Sequence, residues 1–292
     1  MTPQVTEGMP DKLSVTGSGC PITAERPPHP YTRPVPRFRL IIAYDGTDFH
    51  GWQRQDPPGK PSLRTVQGVL EDAVAEAVGT RVPVTGASRT DAGVHALGQV
   101  GSFAAETRIP VDRLAMAINA RLPQDVRVRD AAIAPDAFDP ISDCTSKCYR
   151  YSIAHGDRGT DGMLLFERRT TWCTWHVLDV ARMREAAGAL VGTHDFAAFA
   201  QVNHGRDSTV RTVFGCTVTE PSEGRARIEV CGNGFLYNMV RIIAGTLSEV
   251  GRGRIGTAEV RRALAEGDRT VTGPTLPPHG LRLEWARYGA GA

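Results

Sequence analysis

The densest run of chemically capable side chains is Gly86-Ala87-Ser88-Arg89-Thr90-Asp91-Ala92-Gly93-Val94-His95-Ala96. One carboxylate, Asp91, is set between an arginine and small residues. Small residues let a bound molecule approach the backbone closely, and a neighbouring guanidinium keeps a carboxylate ionised at neutral pH. The stretch therefore reads as a site and not as a strand. Arg241 is a second candidate, because it falls in the apolar run Phe235 to Val250. An unpaired charge there would cost several kcal/mol, so either Arg241 or Arg89 is placed to pair with Asp91. Tyr149 and Tyr151 alternate along Lys147 to His155, which puts both rings on one side of a strand. A phenol joins an apolar face to a proton donor and acceptor. Of the two, Tyr151 reads as core.

Two other groups invite a metal reading. His95 follows Asp91 by four residues, and His194-Asp195 has the look of a metal phosphohydrolase pair. Nothing near His194-Asp195 supplies further ligands, and His95 reads as a support residue bonded to backbone. The six cysteines, Cys20, Cys144, Cys148, Cys173, Cys216 and Cys231, have no disulfide-rich spacing. Cys144 and Cys148 lack a second pair to complete four metal ligands, so all six are expected to be reduced structural thiols.

The elements that must position these residues follow from periodicity. Phe38, Leu40, Ile42 and Tyr44 share one face of a strand whose other face is also apolar, as in a buried strand. Val66, Leu70, Ala73, Val74 and Ala77 recur at helical spacing, with Thr65 as N-cap and Gly79 as stop. A strand over 82–85, the central loop, a strand over 99–104, a helix over 111–121 and a strand over 126–133 come next. The second half predicts a strand over 147–155, a helix over 179–191, and a hairpin of 211–219 with 225–231 around Pro221 and Gly224. A long helix over 235–250, a short one over 257–265 and a last strand over 281–288 complete it. Locally connected strands interleaved with helices favour α+β over a doubly wound sheet.

Residues 1–36 stand apart: eight prolines fall there among Thr, Ser and Gly, which predicts a disordered leader. At 292 residues, 41% hydrophobic and 23% charged, the remainder suits a globular chain of two subdomains, expected over 37–145 and 146–292. No window approaches 18 uninterrupted apolar residues and no secretory signal is readable, so a cytoplasmic protein without a membrane span is expected. Net charge is only +2, yet lysine occurs only at Lys12, Lys60 and Lys147 among 34 basic residues. Arginine's planar fork suits phosphate, and arginine-rich codon usage explains the bias equally well.

Arg89-Thr90-Asp91-Ala92-Gly93-Val94-His95 resembles the catalytic signature of the tRNA pseudouridine synthase A family, which isomerises uridine in RNA. Three further segments match in family order. They are Tyr44-Asp45-Gly46-Thr47 running to Gly51-Trp52-Gln53-Arg54-Gln55, then Tyr149-Arg150-Tyr151, then Gly232-Asn233-Gly234-Phe235 through Met239-Val240-Arg241 to Gly245-Thr246-Leu247. The likeness extends from about Arg37 to about Tyr288. It implies two similar α/β subdomains whose antiparallel sheets join around a cleft. It implies Asp91 as the catalytic carboxylate, Arg241 as its ion-pair partner, and Tyr149 for stacking or late proton transfer. Arg89 would contact RNA and help turn the nucleotide outward, with Phe235 and Leu236 completing an apolar wall. Simple packing accounts for Leu236 equally well.

Breaking N1–C1′ and joining C5–C1′ involves no redox change, so no cofactor is expected, and the family uses no metal. A tRNA anticodon stem-loop bound across a homodimer is the implied substrate and assembly. Phosphate grips are sought among Arg54, Arg108, Arg168, Arg169, Arg206, Arg211, Arg252 and Arg254. Two departures matter. Ser88 stands where the family has glycine, a strain of roughly 1 kcal/mol or more if that backbone needs positive φ. After Phe138, Asp139-Pro140-Ile141-Ser142-Asp143-Cys144 replaces a basic family stretch. On an RNA path it would weaken binding, which suggests a specialised member supplying pseudouridine for C-nucleoside biosynthesis. Neutral drift in that segment is the competing account. From other classes, a catalytically silent RNA-binding protein and a metal hydrolase built on Asp91, His95, His194 and Asp195 are the alternatives.

Overall fold

The computed structural model describes residues 35–59, 61–157, 164–201 and 207–289. The expected leader therefore lies outside the described residues except for its last two positions, and so does Arg206. Strand β1 (Arg37–Tyr44) buries Phe38, Leu40, Ile42 and Tyr44 and pairs on both edges, as its two apolar faces predict. Helix α1 (Val66–Val78) begins where the Thr65 side chain accepts the Gly68 N–H and ends at left-handed Gly79. Helix α2 (Val111–Asn119) and strand β4 (Val126–Ala134) complete the N-terminal part, with Asn119 bonded through its side chain to both backbone groups of Val128.

Strands β2 (Thr85–Gly86) and β3 (His95–Ala104) differ from expectation. The Val82 to Val84 segment is not a strand: Pro83 has no N–H to donate, and the side chains of α1 satisfy Val84 instead. Glu71 accepts its N–H at 3.1 Å and Gln67 donates to its carbonyl at 2.9 Å. In turn β3 starts four residues before the expected Gln99, so the loop holding Asp91 is confined to 87–94 between two paired strands.

In the second half, β5 (Cys144–His155) and β9 (Arg225–Gly232) pair antiparallel, and β8 (Val210–Ser222) joins β9 through a turn at left-handed Gly224. Pro221 falls inside β8, not in the turn. Helix α3 (Leu164–Glu167), strand β6 (Trp172–Thr174) and strand β7 (Gly192–Asp195) are short elements that periodicity does not reveal. Helix α4 (Val180–Gly188) is capped by Asp179, which accepts the Arg182 N–H. Helix α5 (Met239–Gly251) starts four residues later than its apolar pattern suggests, because Asn238 takes φ 60° and interrupts any helix running in from Phe235. Helix α6 (Thr257–Glu266) and strand β10 (Leu281–Tyr288) follow.

One mixed sheet runs β4-β1-β3-β10-β5-β9-β8-β7, with β2 on β3 and β6 on β5. The N-terminal strands occupy one end and β5 to β9 the other. The last strand is wedged between them, parallel to β3 and antiparallel to β5. Fully buried Leu283 sits in the middle of that junction, opposite Ala96 on one side and Tyr149 on the other. The fold is α+β, as expected.

The cysteine expectation is corrected. Register places Cys148 of β5 opposite Cys231 of β9, and the two form a disulfide across 83 residues of chain. Spacing in the sequence carries no trace of a pairing that strand register creates. Among the described residues Cys144, Cys173 and Cys216 are not in disulfides.

Candidate active site

The loop 87–94, the middle of β5, and the Phe235 to Arg241 segment line a cleft of about 550 Å³. Asp91, Arg241, Tyr149, Arg89, Phe235 and Leu236 all contribute to its wall. Arg54 and Arg211 do not. Arg54 lies 2.8 Å from Asp56 and 3.4 Å from Glu71, while Arg211 donates to the Ser208 and Val210 carbonyls.

Close packing with the Tyr44 to Trp52 segment holds the loop in place. A Cβ on Gly46 would fall 2.0 Å from the Val94 carbonyl oxygen, and one on Gly86 would fall 2.3 Å from the Trp52 ring. Trp52 donates its N–H to the Thr90 carbonyl at 3.0 Å, and Tyr44 and Thr90 share a hydroxyl hydrogen bond of 2.7 Å. The motif ending in Gly51-Trp52 is thus the bed on which the Asp91 loop rests. His95 is bonded to backbone as expected: its Nδ1 lies 3.1 Å from the Gly46 amide and its Nε2 lies 3.2 Å from the His279 carbonyl. Nδ1 is also 3.1 Å from Asp45. His194 meets the Val191 carbonyl, and Asp195 accepts the Ala197 N–H.

Arg241 reaches Asp91 with its NH1 at 3.6 Å from Oδ2. The same guanidinium donates to Asn238 Oδ1 and to the Leu276 carbonyl, each at 2.6 Å. Its direction is therefore set by two neutral oxygens, leaving the carboxylate as the third partner. Burial raises the Asp91 carboxyl above its ordinary value, and Arg241 pulls the other way by charge and hydrogen bond. The expected guanidinium influence is present, and desolvation outweighs it.

Tyr149 is buried and meets Phe235 edge-on at 5.2 Å between ring centroids. Burial pushes its phenol up to about 12, while the hydrogen bond shared with Ser88 lowers it and the Asp91 charge raises it. The phenol is neutral at physiological pH. Tyr151 is fully buried and donates to the Pro277 carbonyl at 2.8 Å, a core residue as read from the sequence. Arg89 is exposed at the rim, and its guanidinium forms no ion pair among the described residues.

Sequence reasoning missed Asn238, Leu276, Gln99 and Lys147. Lys147 donates to the Ala87 carbonyl at 2.6 Å from across the cleft. For Asn238 the signal was available: an asparagine just before an apolar run is a residue that tolerates left-handed backbone. The strain considered for Ser88 is absent, because among the described residues Asn238 is the sole non-glycine with positive φ. The acidic stretch after Phe138 closes on itself. Asp139 accepts the N–H groups of Ile141 and Ser142, and Asp143 accepts that of Asp139. Hydrogen bonding from Ser142 holds the Asp139 carboxyl below its ordinary value, and Ile141 reaches the cleft wall.

A mixed sheet, a cleft at its centre and an aspartate paired with an arginine beside a tyrosine define a class that sequence comparison makes definite. The sequence model described as tRNA pseudouridine synthase matches residues 40–141 and 186–289, and the chain belongs to that family. Among its relatives, the tRNA pseudouridine synthase A of Geotalea uraniireducens (strain Rf4) is 43% identical over 247 residues, covering 85% of this chain and 97% of its own. That of Thermoanaerobacter sp. (strain X514) is 43% identical, with coverages of 84% and 96%. That of Bacillus subtilis (strain 168) is 42% identical, with coverages of 86% and 98%.

Proposed function

We propose that this chain isomerises uridine to pseudouridine in tRNA, at the anticodon stem-loop, without cofactor or metal. The observation that carries the proposal is the desolvated Asp91 carboxylate, held 3.6 Å from Arg241 in a cleft walled by Tyr149 and Phe235. A base inside a stem is inaccessible, so the target nucleotide is extruded, at a cost of a few kcal/mol. Arg89 at the rim meets its phosphate, and the Tyr149 and Phe235 rings receive the uracil face. Asp91 then acts on the ribose or the base, N1–C1′ breaks, the uracil turns within the cleft, and C5 bonds to C1′. Tyr149 takes part in the final proton transfer from C5. The remaining parts of the reading are a cytoplasmic homodimer that binds one RNA hairpin across both subunits and a division into subdomains over 37–145 and 146–292.

Incubation of purified protein with unmodified tRNA, followed by mass-silent conversion of uridine and mapping of position, tests this directly. Asp91→Asn is expected to lower turnover by roughly 10³-fold or more while tRNA is still bound. Full activity in that variant refutes the assignment, and binding without conversion by the wild type supports the silent RNA-binding protein. Dependence on a metal, seen as loss with chelator, would support the hydrolase.

A second reading rests on the acidic turn at 139–143, whose Ile141 touches the cleft wall. It is a specialised synthase that supplies pseudouridine for C-nucleoside synthesis from short RNA or uridine monophosphate. Parallel incubations with tRNA, short RNA and the nucleotide separate the two. Conversion confined to one anticodon-arm position of tRNA eliminates specialisation.

A further inference from the structure

Tyr149 is the one cleft phenol that the proposed chemistry uses, yet as a neutral group it cannot simply accept a proton. It can do so only while releasing its own. The hydroxyl beside it is that of Ser88, with Oγ 2.7 Å from the phenol oxygen and either atom able to donate. Ser88 is held firmly for a loop residue. The side chain of fully buried Gln99 accepts its N–H at 3.1 Å and donates to its carbonyl at 2.6 Å. Lys147 grips the preceding Ala87 carbonyl at 2.6 Å. On the other side, the Phe235 ring limits rotation of Tyr149. Two hydroxyls fixed from both ends form a directed pair, and Ser88 lines the cleft while remaining partly exposed.

We propose that Ser88 is a positioning residue for Tyr149, and that the two hydroxyls relay the C5 proton of the rearranged uracil out of the cleft. The inference rests on the reading of Tyr149 given above. When the C5–H bond breaks, its electron pair becomes the C5=C6 double bond, and the C6=N1 pair retreats to N1, which takes a proton from water. The C5 proton passes to the Tyr149 oxygen, the phenol proton passes to Ser88 Oγ, and the serine proton passes to water at the cleft mouth. Neither side chain changes its net protonation.

The test is single-turnover conversion of tRNA carrying uridine either protiated or deuterated at C5, by wild type, Ser88→Ala and Ser88→Thr, with thermal melts alongside. Ser88→Ala is expected to slow turnover roughly 10-fold with KM unchanged. Its deuterium isotope effect should exceed that of the wild type, because C5 deprotonation becomes the slow step. Ser88→Thr, which keeps the hydroxyl, should restore both. An isotope effect is a ratio of rates, so it is independent of the fraction of enzyme that folds. A wild-type isotope effect in Ser88→Ala, whatever its rate, overturns the relay while leaving the proposed function standing. Failure of the wild type to convert uridine in any RNA overturns the proposed function and this inference together.

Discussion

Asp91 is pulled in two directions, upward by burial and downward by Arg241. On the proposed function the carboxylate is the active form, so activity should be lost as pH falls through a value higher than that of an ordinary aspartate. Arg241→Gln removes the downward pull and should move the acid limb of kcat/KM to higher pH, as a pH–rate profile will record. An unshifted limb would mean that Arg241 has no electrostatic hold on Asp91. Asn238→Gly offers a second dissection, because glycine accepts φ 60° without strain while the oxygen that aims Arg241 and the amide that donates to Gln201 are both lost. That variant should lower the unfolding free energy by only about 1 kcal/mol while losing on the order of 10-fold or more in turnover. Equal losses in stability and activity would make Asn238 a simple helix-start residue.

At the scale of elements, two of the four sequence motifs pack on each other, and a third seats its helix on a segment outside the motifs. Tyr44 to Trp52 beds the Asp91 loop, and Gly245-Thr246 of α5 seats the helix carrying Arg241 against the 273–274 segment. A Cβ on Gly245 would overlap the Pro274 carbonyl oxygen at 1.8 Å, whereas Thr246 receives the Gly273 N–H at 2.9 Å. Gly245→Ala should therefore cost about 2 kcal/mol or more in chemical denaturation. A neutral result would show that the 273–274 segment yields easily. Elements whose signal is local were legible in the sequence: α1 with its Thr65 and Gly79 boundaries, β1 by its alternation, and β10 by its extent. The start of α5 was not, because hydrophobic periodicity continues through Phe235 and Leu236, which face the cleft. Nor was the state of Val82 to Val84, whose backbone partners are side chains of another element. Asp91, Arg241 and Tyr149 were readable as chemistry through motif resemblance. The oxygens that orient Arg241, and the Ser88 contact with Tyr149, depend on three-dimensional closeness that no spacing encodes.

Across the whole molecule, most of the arginines considered as phosphate grips are engaged with acids or carbonyls. Arg169 lies 3.3 Å from Asp48, and Arg252 and Arg254 both meet Glu249. On the proposed function, RNA contact should therefore fall chiefly to cations near the cleft rim, with a shallow salt dependence as the expected signature in a binding titration. A steep slope would require the paired arginines to exchange partners. Among the described residues no helix is long and apolar enough to cross a membrane. The Cys148–Cys231 link ties the strand carrying Tyr149 to the one that leads into Phe235. Urea unfolding should show a loss of roughly 2–4 kcal/mol on reduction, and the Cys148→Ala, Cys231→Ala double variant should be indifferent to reductant. A wild type equally indifferent would mean that the two sulfurs are not joined in solution.

The wedge of β10 between β3 and β5 has a consequence for biosynthesis. A ribosome delivers the Asp91 loop early and the keystone strand late, so a nascent chain must hold half a sheet with an uncapped edge until residues 281–288 emerge. Abundance in the cell should thus be unusually sensitive to premature stops and stalls near that strand, even though Asp91, Tyr149 and Arg241 would all be present.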